Sequence, residues 1–152
     1  MTRKAAELEE TPGEGSSPGP WYRDGLRFSC TKCGACCTGT SGYVWVEPRE
    51  AKTMADVFGM PLDEFGRRYL RRIGRRYALL ENEVSGDCAL LREGRCLAYA
   101  SRPSQCRSYP FWSAHLRDAD AWKSVARECE GIAADAPLIS AGEIDRRAGR
   151  CR

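Results

Sequence analysis

The chain of 152 residues has the length of a single domain, and its 42% hydrophobic and 30% charged residues are ordinary for a globular protein. No apolar run is long enough to span a bilayer, so we expect neither a membrane protein nor a membrane partner. The net charge of +3 is too small to indicate nucleic-acid binding on its own. The unusual part of the composition is its nine cysteines.

The first 20 residues predict a disordered leader. Residues 11–20 are rich in glycine, proline and serine and offer nothing that could anchor in a core. Residues 1–10 lack the apolar segment of a secretory signal, so we expect a cytoplasmic protein. In a reducing cytoplasm disulfides are disfavoured and clustered thiols more often hold metal. The expected organisation is a leader over 1–20, a cysteine-cluster metal-binding domain over 21–140, and a tail or short helix over 141–152.

Four thiols follow within eight residues, at Cys30, Cys33, Cys36 and Cys37. The first three are each separated by two residues, a spacing that wraps a tight loop around one ion or cluster. Such a block fits two disulfides, a zinc site or part of an iron–sulfur site. Neighbouring side chains diverge in extended backbone, so Cys36 and Cys37 are not expected to be ordinary ligands of one mononuclear centre.

A strand and two helices are predicted next. Residues 43–46 are aromatic and β-branched, and Pro48 suits the first turn of a helix that should end near Gly59. Pro61 begins a second helix, in which the apolar residues recur at intervals of four or three: Phe65, Tyr69, Ile73, Tyr77 and Leu80.

The opposite side of that second helix is predicted to be strongly basic. It carries three arginine pairs: Arg67, Arg68, Arg71, Arg72, Arg75 and Arg76. We interpret this face as solvated or as the docking surface of an unknown acidic or phosphate-bearing partner. No aromatic residue is interleaved among the arginines on a helix, so specific nucleic-acid binding is not expected.

Residues 87–99 predict a β-hairpin that carries Cys88 and Cys96. A three-residue loop over 92–94, with Gly94 left-handed, would place Cys96 opposite Leu90 and on the same face as Cys88, whereas a two-residue loop over 93–94 would send the two cysteines to opposite faces. The sequence favours the three-residue loop, because Gly94 then sits where positive φ is needed. Farther on, Pro103 suits the first turn of a short helix that carries Cys106 and ends at Pro110. Ser140 followed by Glu143 fits the capping box of a final helix.

Eight cysteines form the predicted metal-ligand set: Cys30, Cys33, Cys36, Cys37, Cys88, Cys96, Cys106 and Cys129. They would fill two four-thiolate sites, or four could ligate one cluster while four stay reduced or structural. The spacing favours a four-iron cluster over zinc, because structural zinc usually takes two well-separated pairs of closely spaced cysteines. Cys151 is expected to be a free thiol.

The chain resembles the YkgJ-type cysteine-cluster family, also called the CxxCxxCC domain. The resemblance rests on the 30–37 block, on Cys88, on the segment from Cys96 through Arg102-Pro103 and Cys106 to Phe111, and on Cys129-x-Gly131-Ile132. It implies a bacterial-type cytoplasmic domain that chelates zinc or iron, often as an iron–sulfur protein, with no settled reaction. Related domains occur in a flagellin lysine methylase. The chain departs from the family pattern at Glu130, where proline is common, and in Cys151.

Three polar residues near Cys106 are candidates for supporting a cofactor: Arg102, Arg107 and Tyr109. Guanidinium groups there could donate hydrogen bonds to cluster sulfur and offset thiolate charge. No catalytic motif is present, and His115, as a lone histidine, is expected at the surface or in a cap. We therefore predict a small α+β domain organised by thiolate-bound metal. Its expected cofactor is a 4Fe-4S cluster or, alternatively, zinc. The alternative function is that of a redox enzyme or an accessory subunit of a methylating system.

Overall fold

A computed structural model describes residues 18–39 and 42–149. All but the last three residues of the predicted leader, and also Cys151, lie outside the described residues. The predicted α+β class is confirmed. The helices are α1 (Pro48–Val57), α2 (Leu62–Tyr69), α3 (Ser104–Ser108), α4 (Ala119–Ala126) and α5 (Ala141–Gly149). The strands are β1 (Leu26–Arg27), β2 (Trp45–Val46), β3 (Leu70–Ile73), β4 (Arg76–Leu79), β5 (Leu91–Arg92), β6 (Arg95–Cys96) and β7 (Leu138–Ile139).

A first hydrophobic core forms beneath a three-stranded antiparallel sheet of order β2–β4–β3. Val46 and Leu79 on the inner face pack with Met54 of α1 and Phe65 of α2, and both Met54 and Phe65 are fully buried. Burying a side chain of this size contributes about 1.5–3 kcal/mol. Cys88 and Cys96 pack against the edge of this core.

A second core lies under the β1–β7 pair and helices α4 and α5. Phe111 and Ile144 are fully buried there, and the ring of Phe111 stacks on Trp122 with centroids 5.6 Å apart. Cys129 belongs to this core, and Tyr109 packs against it. The thiols are thus shared between two packed halves.

The second predicted helix is correct only up to Tyr69. The chain leaves α2 at Leu70 and forms the β3–β4 hairpin, in which Arg71 lies opposite Ala78. Gly74, with φ +60, takes the left-handed conformation of a two-residue turn. The helical prediction fails because β2 offers an edge for pairing, with the Leu79 N–H donating to the Val44 carbonyl at 2.9 Å. The six arginines therefore do not share a helix face.

The predicted loop of the cysteine-bearing hairpin is also wrong. Cys96 lies opposite Leu91 rather than Leu90, which leaves a two-residue turn with Glu93 at φ 49 and Gly94 at φ 73. Positive φ at both positions is the conformation of a type I′ turn, whose twist matches that of the strands. Cys88 precedes the strand in its own turn, closed by a 2.9 Å bond from the Leu91 N–H to the Cys88 carbonyl. Because Cys88 lies in this turn and not in the strand, the alternation of side chains along β5 does not fix its direction. The observed register therefore does not place Cys88 and Cys96 on opposite faces of the hairpin.

Other element boundaries agree with the sequence predictions. Pro48 begins α1, which ends before Gly59, and the helix carrying Cys106 follows Pro103. At α5, the Glu143 N–H donates to Ser140 Oγ at 3.4 Å. Within residues 18–39 and 42–149, no helix has the length and apolar character that crossing a bilayer requires.

Candidate metal centre

A cavity of about 390 Å³ lies between the two cores. Leu79 and Leu90 line it from the first core, and Phe28 lines it from the second. All eight predicted thiols also line this cavity: Cys30, Cys33, Cys36, Cys37, Cys88, Cys96, Cys106 and Cys129. Cys30 and Cys129, which are 99 positions apart in the sequence, therefore line the same cavity. Whether each of them ligates metal stays a prediction.

The loop that carries the first four thiols is shaped by left-handed backbone. Lys32 has φ 61 and Gly34 has φ 78, and residues 35–37 then form one 3-10 turn. At Gly34 the backbone lies against the β5–β6 turn, so a Cβ built there would meet the Gly94 carbonyl oxygen at 2.5 Å. Close approach and positive φ together require glycine.

Hydrogen bonds tie both ends of this loop to the distant thiols. The Ser29 N–H donates to the Gly131 carbonyl at 2.9 Å, and Thr31 Oγ1 donates to Glu130 Oε1 at 2.6 Å. Cys30 is thereby held beside the Cys129 segment, and Glu130, which departs from the family pattern, acts as an anchor for the loop. At the other end, the Cys88 N–H donates to the Cys37 carbonyl at 2.8 Å.

Three of the thiols are in direct contact. Hydrogen bonding from the Cys37 side chain lowers the pKa of Cys36 to about 7 and that of Cys96 to about 6. The same contacts raise the pKa of Cys37, which stays the donor. Thiolate is the form that binds metal, so two of the three are poised to ligate near neutral pH.

The deeper thiols favour the neutral form. Burial, followed by the nearby charges of other cysteines, raises the pKa of both Cys88 and Cys106. Burial also raises the pKa of Cys129, with smaller contributions from Cys33 and Cys36. A bound cation reverses this preference, because it deprotonates coordinating thiols outright. The cavity therefore disfavours free thiolates at these three positions, and a bound metal would stabilise them.

Arg102 lines the cavity with the thiols, and one of its donors is buried. Its guanidinium carbon lies 3.8 Å from the centre of the Tyr99 ring, and its Nη1 donates to the Tyr99 carbonyl at 3.3 Å. Its charge contributes to lowering the pKa of Cys36 and of Cys96. Its Nε is buried, and no residue in the described part of the chain accepts a hydrogen bond from it. An anionic, sulfur-rich group in the cavity fits this donor.

The other two candidate support residues differ in orientation. Arg107 lines the cavity, but its Nη1 donates to the Arg102 carbonyl at 2.6 Å and its Nη2 lies 3.9 Å from Glu50 Oε1. It thus steadies the Arg102 backbone. Tyr109 also lines the cavity, and burial, then the charges of Cys129 and Cys36, raise its pKa, so its hydroxyl remains a donor.

His115 is a half-buried residue that contacts the loop after α3. Its Nδ1 lies 2.8 Å from the Pro110 carbonyl oxygen, and its ring stacks on Trp112 with centroids 5.2 Å apart. It is not among the cavity-lining residues.

Two residues that the sequence analysis did not single out also belong to the site. Lys32 lies between the first two thiols, with its Nζ 4.8 Å from the centre of the Tyr99 ring. Tyr99 thus contacts two cations at the cavity, Lys32 and Arg102. The signal in the sequence was a tyrosine three residues after Cys96 and three before Arg102. Such cation–π contacts orient charge toward a site without neutralising it.

Apart from the contacts of Cys37 with Cys36 and Cys96, the thiols are distributed around the cavity wall. Among residues 18–39 and 42–149, no group of three or more cysteine, histidine, aspartate or glutamate side chains is arranged so that it could hold a single metal ion. The donor set is nevertheless almost purely thiolate, which suits zinc or iron–sulfur chemistry.

Gly34→Ala is expected to destabilise the folded protein by about 1–3 kcal/mol, because the added methyl meets the Gly94 carbonyl in a left-handed backbone. Urea unfolding of the metal-loaded protein measures this loss. Gly66→Ala is the matched control: it lies in α2 with no atom near the added Cβ and should stabilise by about 0.5–1 kcal/mol. Equal effects of the two substitutions would contradict the close contact at Gly34.

Comparison with known proteins agrees with this site. A family model described as "CxxCxxCC: Putative zinc- or iron-chelating domain" matches residues 29–130. The "Uncharacterized protein MJ0661" of Methanocaldococcus jannaschii is 30% identical over 119 residues. The match covers 73% of this chain and 61% of that protein, so the chain spans less than two thirds of the relative's length. No solved structure matches the chain.

Proposed function

The chain belongs to the CxxCxxCC family of zinc- or iron-chelating domains, and from that premise we propose that its thiolates hold a 4Fe-4S cluster. Family membership supports metal binding in general. The identity of the metal is the further step. The observation that carries it is the gathering of eight thiols around one cavity of about 390 Å³.

The spacing of the thiols is the first argument for a cluster. A zinc ion and a four-iron cluster each take four thiolates, so the number of thiols does not separate them. Structural zinc usually takes two well-separated pairs of closely spaced cysteines. The C-x2-C-x2-C spacing of Cys30, Cys33 and Cys36 is the ferredoxin-like element of the set.

The spread of the thiols is the second argument. They lie around one cavity, where Cys37 contacts both Cys36 and Cys96 and the other five thiols lie elsewhere on the wall. A mononuclear ion needs its ligands at one point, whereas a cluster accepts them at several irons. The arrangement of the thiols therefore supports a polynuclear centre more than a single zinc ion.

The third argument comes from the polar and apolar lining. Arg102 offers an unused buried Nε, and Tyr109 keeps its proton because burial raises its pKa. Both can donate to sulfur and offset the negative charge of a thiolate-bound cluster. Phe28, Leu79 and Leu90 supply apolar parts of the wall, while Cys30, Cys33 and Cys36 are exposed at its surface. When bound, such a cluster supplies one-electron transfer, and fully thiolate coordination favours electron-transfer or structural use over substrate binding.

Visible absorption and electron paramagnetic resonance of protein purified under argon test the proposal. We expect a broad charge-transfer absorption that bleaches on reduction, together with a paramagnetic signal in one of the two oxidation states. A colourless protein that carries one or two zinc ions per chain would overturn the iron–sulfur assignment while leaving metal binding intact.

A further inference from the structure

The outer face of the β2–β4–β3 sheet carries arginines interleaved with aromatic rings, outside the metal centre. Residues opposite one another in the sheet share a face, which places Trp45, Ala78 and Arg71 together. Tyr43, two residues before Trp45, and Arg76, two residues before Ala78, extend the same face. We call Tyr43, Trp45, Arg71 and Arg76 the outer sheet face.

The side chains of this face form a layered surface. The Arg76 guanidinium carbon lies 3.8 Å from the centre of the Trp45 ring, and that of Arg71 lies 4.9 Å from the centre of the Tyr43 ring. The two rings are themselves in contact, with centroids 5.0 Å apart. Tyr43 is 48% exposed, and Arg76 is exposed as well. The guanidinium planes are thus held on aromatic rings at a solvent-facing surface.

The charge of this region is poorly compensated. Of the six arginines in residues 67–76, only Arg67 and Arg71 form ion pairs with carboxylates of the described chain, with Asp63 and Glu81 respectively. Arg71 Nε, although buried, has no hydrogen-bond partner among the described residues. Glu81 is the acidic group beside the face, and its other oxygen accepts from the Gly42 N–H at 3.2 Å. On the outer sheet face, Arg76 therefore carries a charge that no carboxylate of the described residues pairs with, and a ligand could neutralise it.

We propose that the outer sheet face binds single-stranded nucleic acid without sequence specificity. Phosphates would pair with the arginines, whose planar donors match phosphate oxygens, and bases would stack on the guanidinium and aromatic planes. On a helix the arginines would have no aromatic residues among them. In the sheet, Trp45 of β2 and the preceding Tyr43 lie beside Arg76 and Arg71. An acidic peptide would use the charge alone and leave the stacked rings without a role, so nucleic acid is the occupant that the layered geometry favours.

The fluorescence anisotropy of a labelled 16-nucleotide single strand, titrated with the metal-loaded protein over a range of salt concentrations, tests the proposal. We expect the logarithm of the binding constant to fall linearly with the logarithm of salt concentration, with a slope of about −0.7 for each phosphate contacted. Arg76→Ala should weaken binding about tenfold and make the slope shallower by about 0.7, since it removes both a charge and a stacking plane.

Two further variants separate charge from stacking and from general basicity. Arg76→Lys keeps the charge, so it should leave the salt slope unchanged but still weaken binding about fivefold. Arg49 is an exposed arginine of α1 that is not part of the outer sheet face, so Arg49→Ala should leave binding unaltered. Two outcomes would overturn the proposal: binding of a polyglutamate chain as strong as that of the single strand, or equal losses for Arg76→Ala and Arg49→Ala. Because Arg76 does not line the thiol cavity, metal content should stay constant throughout, which makes this test independent of the iron–sulfur assignment.

Discussion

Cys36→Ala is expected to lower the affinity for metal by more than about 100-fold, beyond the 10- to 100-fold effect typical of residues that only support a ligand. Cys36 occupies the centre of the thiol set: it contacts Cys37, and its charge acts on Cys88, Cys106 and Cys129. Removing it takes away a thiolate that lines the cavity and contacts Cys37. Metal content per folded monomer after gel filtration measures the effect.

Cys151→Ala is the matched control for this substitution. Cys151 lies outside the described residues, and it matches no position of the family pattern. It should retain the full metal content. If Cys36→Ala kept as much metal as Cys151→Ala, Cys36 would be excluded from the ligand set and the central role assigned to it would be wrong.

Removal of the metal is expected to destabilise the whole domain. The cavity lies between two hydrophobic cores, with Cys88 and Cys96 beside the first and Cys129 in the second. Metal that bridges these thiols contributes its binding free energy to folding. We expect extraction with an oxidant and a chelator to cost at least about 4 kcal/mol, which lowers the Tm by about 10 °C in a chain of this length.

Thermal unfolding followed by near-ultraviolet circular dichroism measures this loss. Trp112 lines the cavity and Trp122 lies in the second core, so the two rings report on both regions. Reconstitution with iron and sulfide under argon should restore the higher Tm. An unchanged Tm in metal-free protein would mean that the two cores hold together by packing alone.

The sequence predicted the site better than it predicted the strands around it. The thiol spacing, Pro103 before the helix of Cys106, and the two arginines and the tyrosine near that helix are local signals. The residues that carry them line the observed cavity, and Pro103 directly precedes α3. The thiol, guanidinium and phenol groups of these residues follow directly from the residue types, which the sequence gives. Metal ligation by the eight thiols and support of a cofactor by Arg102, Arg107 and Tyr109 remain predictions.

The errors came from interactions between distant segments. The four-residue spacing of Phe65, Tyr69, Ile73 and Tyr77 is typical of a helix, but pairing with β2 converted residues 70–79 into a hairpin. No pattern within residues 65–80 indicates that β2 will be available for pairing. The register of the β5–β6 hairpin was misjudged for a related reason, because Glu93 takes the positive φ that the sequence analysis assigned to Gly94 alone.

The determination of iron, acid-labile sulfide and zinc per chain, on protein purified under argon without added metal, tests the central claim most directly. The account predicts about four irons and four sulfides for each folded chain, with zinc well below one equivalent. Folded protein that contains neither iron nor zinc in stoichiometric amount would contradict it, because the eight thiols around the cavity would then have to be held together without any metal.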